Sequence, residues 1–356
     1  MDSGIDAAHP HFQEKDTPIG RLGGTLDVIA PLRHMDFTLD ASAPTVDLLG
    51  HGTHVAGIIA GYWASNDPAG ANVVGTEMRD EATEKTHLTV TKLNTIGGVA
   101  PLAKLVSMKV IADRDVADTG SGGQRKGKGR VSWILKAIEQ IHEWNQHGKR
   151  LLVHGVNMSV GYDFDARWFG CGQSPICTEV NRLVRSGVCV VVSAGNSGYR
   201  TYVTSGSKLE SAYNGISITD PGNAELAITV GSTHRDMPHT YGVSYFSSRG
   251  PTGDGRRKPD LLAPGERVWS CAAGVERDRF GQNPGDTILY CEQSGTSMAA
   301  PHVSGGIAAF LSVRGEFIGQ PERIKALIKA SAIDLGREAH FQGAGLLDLM
   351  KLLHSV

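Results

Sequence analysis

Three short segments combine residue types that can do covalent chemistry. Asp2-Ser3-Gly4-Ile5-Asp6 offers two acids around a turn. Residues 51–61 read HGTHVAGIIAG, with His51 and His54 nearly one helical turn apart. Residues 294–305 read SGTSMAAPHVSG, with Ser297 leading into a helical pattern. Each has a plain structural reading: an ordinary turn, a glycine-led helix start with core histidines, and a helix N-cap, a position Ser and Thr favour. Together they have another. A serine hydroxyl is a weak nucleophile and needs a base in contact. The base needs an acid that orients it and stabilises its cation. Acid, histidine and serine follow here as Asp…His…Ser, one of the chain orders in which such a triad occurs.

Around these segments, short apolar runs alternate with helical patterns. Residues 105–111, 151–158 and 188–193 read as buried strands, and 227–230 as a shorter one. Between the first two, residues 131–146 place Trp133, Ile134, Ala137, Ile138, Ile141 and Trp144 at helical spacing, with Gly148 as a stop. Residues 178–185 read as another helix, closed by Gly187. This β-α-β-α-β order implies a parallel sheet with right-handed crossovers. Further helices are expected from His51, from Ser297 and over 321–332, the last with proline at its start. Pro301 is expected in the first turn of the Ser297 helix, where a missing N–H matters least. Residues 66–95 and 276–286 are polar and read as surface insertions, the first with strand-like alternation over 87–93. Neither a linker nor a repeat divides the 356 residues, so one domain is expected over 1–356.

Composition narrows the function classes. Lys+Arg 35 against Asp+Glu 37 leaves a net charge of −2, which argues against a nucleic-acid partner. The basic run 125–130 (RKGKGR) therefore reads as a solvated loop. With 40% hydrophobic and 20% charged residues the chain has the make-up of a folded protein. It has no apolar run of about 18 residues, so no membrane-spanning helix is expected. Asp2 follows Met1 directly, with no basic, apolar or cleavage region, so no signal peptide is read. The chain as given leans cytoplasmic, and secretion would call for an upstream segment. Five cysteines without a CxxC pair argue against both a disulfide scaffold and structural zinc. Bridges Cys171–Cys177 and Cys271–Cys291 stand beside the reading that all thiols are free, and Cys189 reads as a buried small hydrophobe.

The three segments, with five more, resemble the subtilisin-like serine proteases (subtilases, peptidase family S8). The five are residues 98–103 (GVAPLA), 157–161 (NMSVG), 193–196 (SAGN), 258–265 (KPDLLAPG) and 343–345 (GAG). The likeness runs from Asp2 to about Leu353. It implies a three-layer α/β fold, a central, mostly parallel sheet with helices on both faces. It implies a serine endopeptidase that hydrolyses peptide or protein substrates through an acyl-enzyme, with no cofactor. By resemblance Ser297 is the nucleophile, His51 the base ahead of His54, Asp2 the acid ahead of Asp6, and Asn196 the oxyanion donor. Ser159, Val160 and Gly161, with Ala194 and Gly195, would flank the pocket for the residue before the scissile bond. Such small residues leave room for a large side chain. Asp163 and Asp165 either favour a basic substrate residue there or belong to a solvated loop. Family members often bind structural calcium, but no Asp/Asn-rich loop marks a metal site here. A lipase-like G-x-S-x-G elbow does not fit, because Ala299 stands where the second glycine would be.

One departure bears on activity. In the family the catalytic aspartate ends a central strand, and here only Met1 precedes Asp2. The expectation is a sheet that lacks this strand and a loosely held Asp2, unless an upstream segment or a partner completes it. The alternative function is then a subtilisin-like binding module with weak catalysis or none.

Overall fold

Four runs in the later part of the chain lie side by side as parallel strands: Gly155–Met158, Cys189–Ser193, Ile228–His234 and Leu261–Glu266, in that order. All five residues of Cys189–Ser193 are buried, as in a parallel strand covered on both faces. Alternate residues point to one side of a strand. On one side Cys189, Val191, Ile228, Val230, Leu261 and Ala263 pack with Ala299, Val303, Ile307 and Phe310 of the helix Thr296–Val313. Ile324 and Ile328 of the helix Pro321–Ser331 join the same cluster. The first two strands pair in register, Met158 opposite Val192. Residues 159–161 and 194–196 therefore leave the sheet at the same edge. The 258–265 segment anchors the far strand: Lys258 Nζ and Asp260 Oδ2 form a buried ion pair of 2.7 Å, and Lys325 Nζ lies 3.1 Å from Asp260 Oδ1.

The computed structural model describes the chain except residues 15, 18–19, 22, 39–41, 66–71, 81–82, 84, 115–125, 204–208, 281–287 and 356. Two compact units divide it: Met1–Ala137 with Val268–Gln293, and Ile138–Arg267 with Ser294–Val356. The strands above belong to the second.

In the first unit the apolar run 105–111 does not form one strand. Met108–Lys109 pairs in parallel with Met35–Asp36, and Ile111–Arg114 pairs with Lys126–Gly129. The break falls at Val110, whose N–H donates to the Asp2 carbonyl at 2.8 Å. Asp2 is thereby tied to the free side of Met108–Lys109. Its own N–H donates to Met108 O at 3.2 Å, and Ile111 N–H also donates to Asp2 O. The looseness expected at Asp2 is not found, because these backbone bonds hold a residue that is only 8% exposed.

A second sheet of this unit has the order Val268–Cys271, Ile288–Gln293, Asn72–Arg79, Thr86–Leu93. Much of the polar stretch 66–95 is thus an antiparallel hairpin, with Asn72 opposite Leu93 and Arg79 opposite Thr86. Residues 66–71 lie outside the described residues. Of the second polar stretch, 276–280 falls in the helix Gly274–Phe280, and 281–286 lie outside the described residues. Of the basic run, Lys126–Gly129 is a strand rather than a loop, with residues 127–130 exposed and Arg125 outside the described residues.

The helix Val131–Trp144 forms as its spacing requires, and Trp133, Ile134, Ala137, Ile138, Ile141 and Trp144 are all buried. In the second unit a hairpin, Tyr199–Val203 with Leu209–Tyr213, exposes every strand residue.

All five cysteines are free thiols. Strand register explains why Cys271 and Cys291 do not join. Cys271 lies opposite Tyr290, and Ser270 opposite Cys291, so the two sulfurs leave the sheet on opposite faces. Cys271 and Tyr290 share one apolar cluster, and Cys291 packs in another with Phe280 and Ile288.

Candidate active site

The sequence-predicted residues divide between the two units. In the first, the helix His51–Ile59 begins after Gly50, whose backbone is left-handed at φ 94°. A Cβ on Gly50 would lie 2.1 Å from the Ala273 carbonyl, and one on Gly52 would lie 2.2 Å from the Gly4 carbonyl. The two glycines flanking His51 therefore let the Asp2–Gly4 segment and residue 273 close in on the helix start.

Two side chains cap that start. Gly52 N–H donates to Ser3 Oγ at 2.9 Å, and Thr53 N–H donates to Asp47 Oδ2 at 2.8 Å. Ser3 Oγ donates in turn to Asp47 Oδ1 at 2.9 Å, which also accepts from Gly50 N–H. Burial keeps the Asp47 carboxyl above the ordinary carboxylate range, against the pull of its bonds from Gly50 and Thr53. Neither Ser3 nor Asp47 emerged from the sequence as a site residue. The signal was there in part, since an acid shortly before a helix start is a capping pattern.

This scaffold brings Asp2 and His51 together. His51 Nδ1 lies 2.7 Å from Asp2 Oδ1, which also accepts from Ser3 N–H at 2.8 Å. Asp2 Oδ2 is buried with no hydrogen-bond partner among the described residues. Burial opposes the charge on His51, but the Asp2 carboxylate, with Asp47 and Glu276 near it, outweighs burial and raises the pKa to about 9. Asp2 moves the other way: burial raises its pKa, yet the imidazolium charge and hydrogen bond hold it below the ordinary value. The competitors are placed elsewhere. Asp6 N–H bonds Thr53 Oγ1, and His54 is fully buried with Nε2 3.2 Å from Cys291 O.

In the second unit Ser297 is the second residue of Thr296–Val313. Of the first three helical N–H groups, that of Thr296 donates to Asn196 Oδ1 at 2.9 Å and that of Met298 to Gly295 O at 3.0 Å. The Ser297 N–H has no acceptor among the described residues. Thr296 Oγ1 accepts from Gly195 N–H at 3.1 Å and donates to Asn196 Oδ1 at 3.0 Å. With Oδ1 so fixed, Asn196 Nδ2 is turned outward, beside Gly295, without an acceptor among the described residues. The Ser297 hydroxyl donates to the Ser159 carbonyl at 3.2 Å. Pro301 is the sixth residue of the helix, not in its first turn, because the helix starts at Thr296.

Ser159, Val160 and Gly161 follow one strand and Ala194 and Gly195 its neighbour. Between the two segments stands Thr219, which the sequence reading missed. A Cβ on either Gly161 or Gly195 would lie 2.6 Å from Thr219 Oγ1. Part of the room that the small residues leave is thus taken by Thr219, whose N–H donates to Ala194 O at 3.1 Å. No local pattern marks this threonine, since it comes from a segment 24 positions beyond Gly195. Asp163 is bound by Arg200 Nη2 at 2.8 Å and Asp165 by Arg167 Nη2 at 2.6 Å, so both carboxylates are engaged by the chain's own arginines. Among the described residues no group of three or more His, Cys, Asp or Glu could hold a metal ion, and no helix is long and apolar enough to cross a membrane.

The profile of the subtilase family, Peptidase_S8, matches residues 1–345, and the chain belongs to that family of serine peptidases. It is similar to the serine protease AprX of Bacillus subtilis, 28% identical over 92% of this chain and 59% of AprX. It is also similar to the subtilase-type proteinase psp3 of Schizosaccharomyces pombe, 30% identical over 87% of this chain and 51% of psp3. The chain thus spans about half to three-fifths of the length of these curated relatives. Among solved structures, the prenylagaramide maturation protease PagA matches 99% of this chain and 91% of its own, with a TM-score of 0.58 at 20% identity. The fold is that of the subtilisins, a three-layer α/β arrangement with helices on both faces of the sheet.

Proposed function

We propose that the chain is a serine endopeptidase acting through an acyl-enzyme, its two units forming a single peptidase domain over 1–356. Ser297 Oγ attacks the scissile carbonyl while His51 Nε2 takes its proton and then delivers it to the leaving amine. Asp2 holds the imidazole through Nδ1 and stabilises the imidazolium. Asn196 Nδ2 and the Ser297 N–H stabilise the oxyanion, two donors left without acceptors where charge would develop. Water, activated by the same histidine, releases the acyl group. The observation that carries this reading is the 2.7 Å contact between His51 Nδ1 and Asp2 Oδ1, the kind of pairing by which an acid orients a general base.

The substrate is a peptide or protein whose backbone pairs with Ser159, Val160 and Gly161 on one side and Ala194 and Gly195 on the other. Thr219 favours a small or medium side chain before the scissile bond. Asp163 and Asp165, already engaged by arginines, do not select a basic one. The reaction as proposed uses no cofactor and no nucleic-acid or membrane partner, and among the described residues no group of three or more His, Cys, Asp or Glu marks a metal site. The inactive-module alternative is not favoured, since Asp2 is anchored and paired. The test is labelling of the pure protein with a fluorophosphonate, which reacts only with an activated serine. Modification confined to Ser297 supports the proposal; an unreactive, folded protein refutes it.

A further inference from the structure

A proline inside a helix deletes one hydrogen bond and leaves the carbonyl four residues back without its donor. For Pro301 that carbonyl belongs to Ser297. It does not stand empty: Ser159 Oγ donates to it at 2.8 Å. The Ser159 hydroxyl is itself oriented, because Asn157 Nδ2 donates to Ser159 Oγ at 2.9 Å. That leaves the hydroxyl hydrogen directed to Ser297. Asn157 is fixed in turn by Ser304 Oγ, which donates to Asn157 Oδ1 at 2.8 Å from further along the same helix. In the reverse direction the Ser297 hydroxyl donates to the Ser159 carbonyl at 3.2 Å. The strand end and the helix start thus exchange hydroxyl-to-carbonyl bonds.

We propose that Asn157 and Ser159 are positioning residues for Ser297. Their side chains replace the helix bond that Pro301 removes and so fix the turn that aims the Ser297 hydroxyl and N–H. This rests on the reading of Ser297 as nucleophile. Ser159 then has two separate duties, its backbone toward substrate and its side chain toward the helix. Small displacements of a reacting atom are expensive: a misplacement of about 1 Å can lower a rate about a hundredfold.

The experiment is a double-mutant cycle on Ser159→Ala and Pro301→Ala, read by kcat and KM on a peptide, by the rate of fluorophosphonate labelling, and by thermal melting. Ser159→Ala is expected to lower kcat and labelling about tenfold or more, with KM little changed, and to lower Tm by a few degrees. Ser159→Thr, which keeps the hydroxyl, should retain most activity. Pro301→Ala restores an N–H for the Ser297 carbonyl, so the double variant should recover most of what Ser159→Ala loses. Losses as large in the Pro301→Ala background as in the parent overturn the inference. If the parent protein fails to label, the nucleophile reading falls. The melting cycle then still decides the relay: coupling between positions 159 and 301 upholds it, and additivity ends it.

Discussion

Asp2 Oδ1 accepts from His51 Nδ1 at 2.7 Å and from the Ser3 N–H at 2.8 Å, and Oδ2 has no partner among the described residues. The Asp2 carboxylate, with Asp47 and Glu276 near, outweighs burial and raises His51 to about 9. A general base must be neutral to accept a proton. We predict that the acid limb of kcat/KM lies well above the 6.5 of an ordinary histidine. Asp2→Asn should move that limb down and cut kcat by about 10⁴, the size found for the triad aspartate of another serine protease. A parent limb at or below 6.5 would contradict the pairing. The stability sign follows from the same pair. The raised His51 contributes fully below pH 6.5 and loses its contribution as pH rises through about 9. Asp2, lowered, contributes above its ordinary value and loses its contribution as pH falls through the lowered one.

The two histidines of the HGTH segment should separate by phenotype. His51→Ala removes the proposed base, and Ser297→Ala the proposed nucleophile; each is predicted to lose activity by several orders of magnitude while melting cooperatively. His54, fully buried and bonded to Cys291 O, should behave oppositely, with His54→Ala lowering Tm and sparing Ser297 labelling. A folded, inactive His54→Ala beside an active His51→Ala would reverse the assignment.

Asn196 should matter most once charge develops. Asn196→Ala is predicted to lower kcat by about 10²–10³, the magnitude known for the oxyanion asparagine of subtilisin, with KM nearly unchanged. Thr296→Val removes the hydroxyl that holds Asn196 Oδ1 and Gly195 N–H, and should shift kcat in the same direction by less. An effect confined to KM would place both residues in ground-state binding instead.

Thr219 should set the size of the accepted side chain. Its Oγ1 stands 2.6 Å from where a Cβ on Gly161 or Gly195 would be. Thr219→Gly is predicted to raise kcat/KM for a phenylalanine before the scissile bond relative to alanine, measured on paired peptide substrates. An unchanged ratio would show that Thr219 lies outside the pocket.

Much of this was legible because it is periodic or local. The spacing of Trp133, Ile134, Ala137, Ile138, Ile141 and Trp144 gives the helix Val131–Trp144, and the runs before Ser159 and Ala194 give two strands that end at one edge. What stayed hidden depends on partners far along the chain. Ser3 and Asp47 meet across 44 positions, and Arg200 reaches Asp163 across 37. The broken strand at Val110 follows from an amide taken by Asp2. The fate of Cys271 and Cys291 depends on register, which no cysteine count contains. Pro301 was visible at once, but the serine that answers its missing N–H lies just past the end of a strand far back in the chain.

The exposed hairpin after Asn196 has a consequence for a chain read as a peptidase. Extended, accessible segments are what a peptidase would cut, and Tyr199, Tyr202 and Tyr213 all face solvent. A cleft that grips its substrate from two sides needs a strand with both edges open. Here five cross-strand pairs, from Tyr199↔Tyr213 to Val203↔Leu209, already occupy one edge of each strand. Cuts within these strands during storage of the concentrated protein would contradict this. Paired as it is, the hairpin shows its side chains while withholding one backbone edge of each strand, which would shield it from a peptidase that reads an extended strand from both sides.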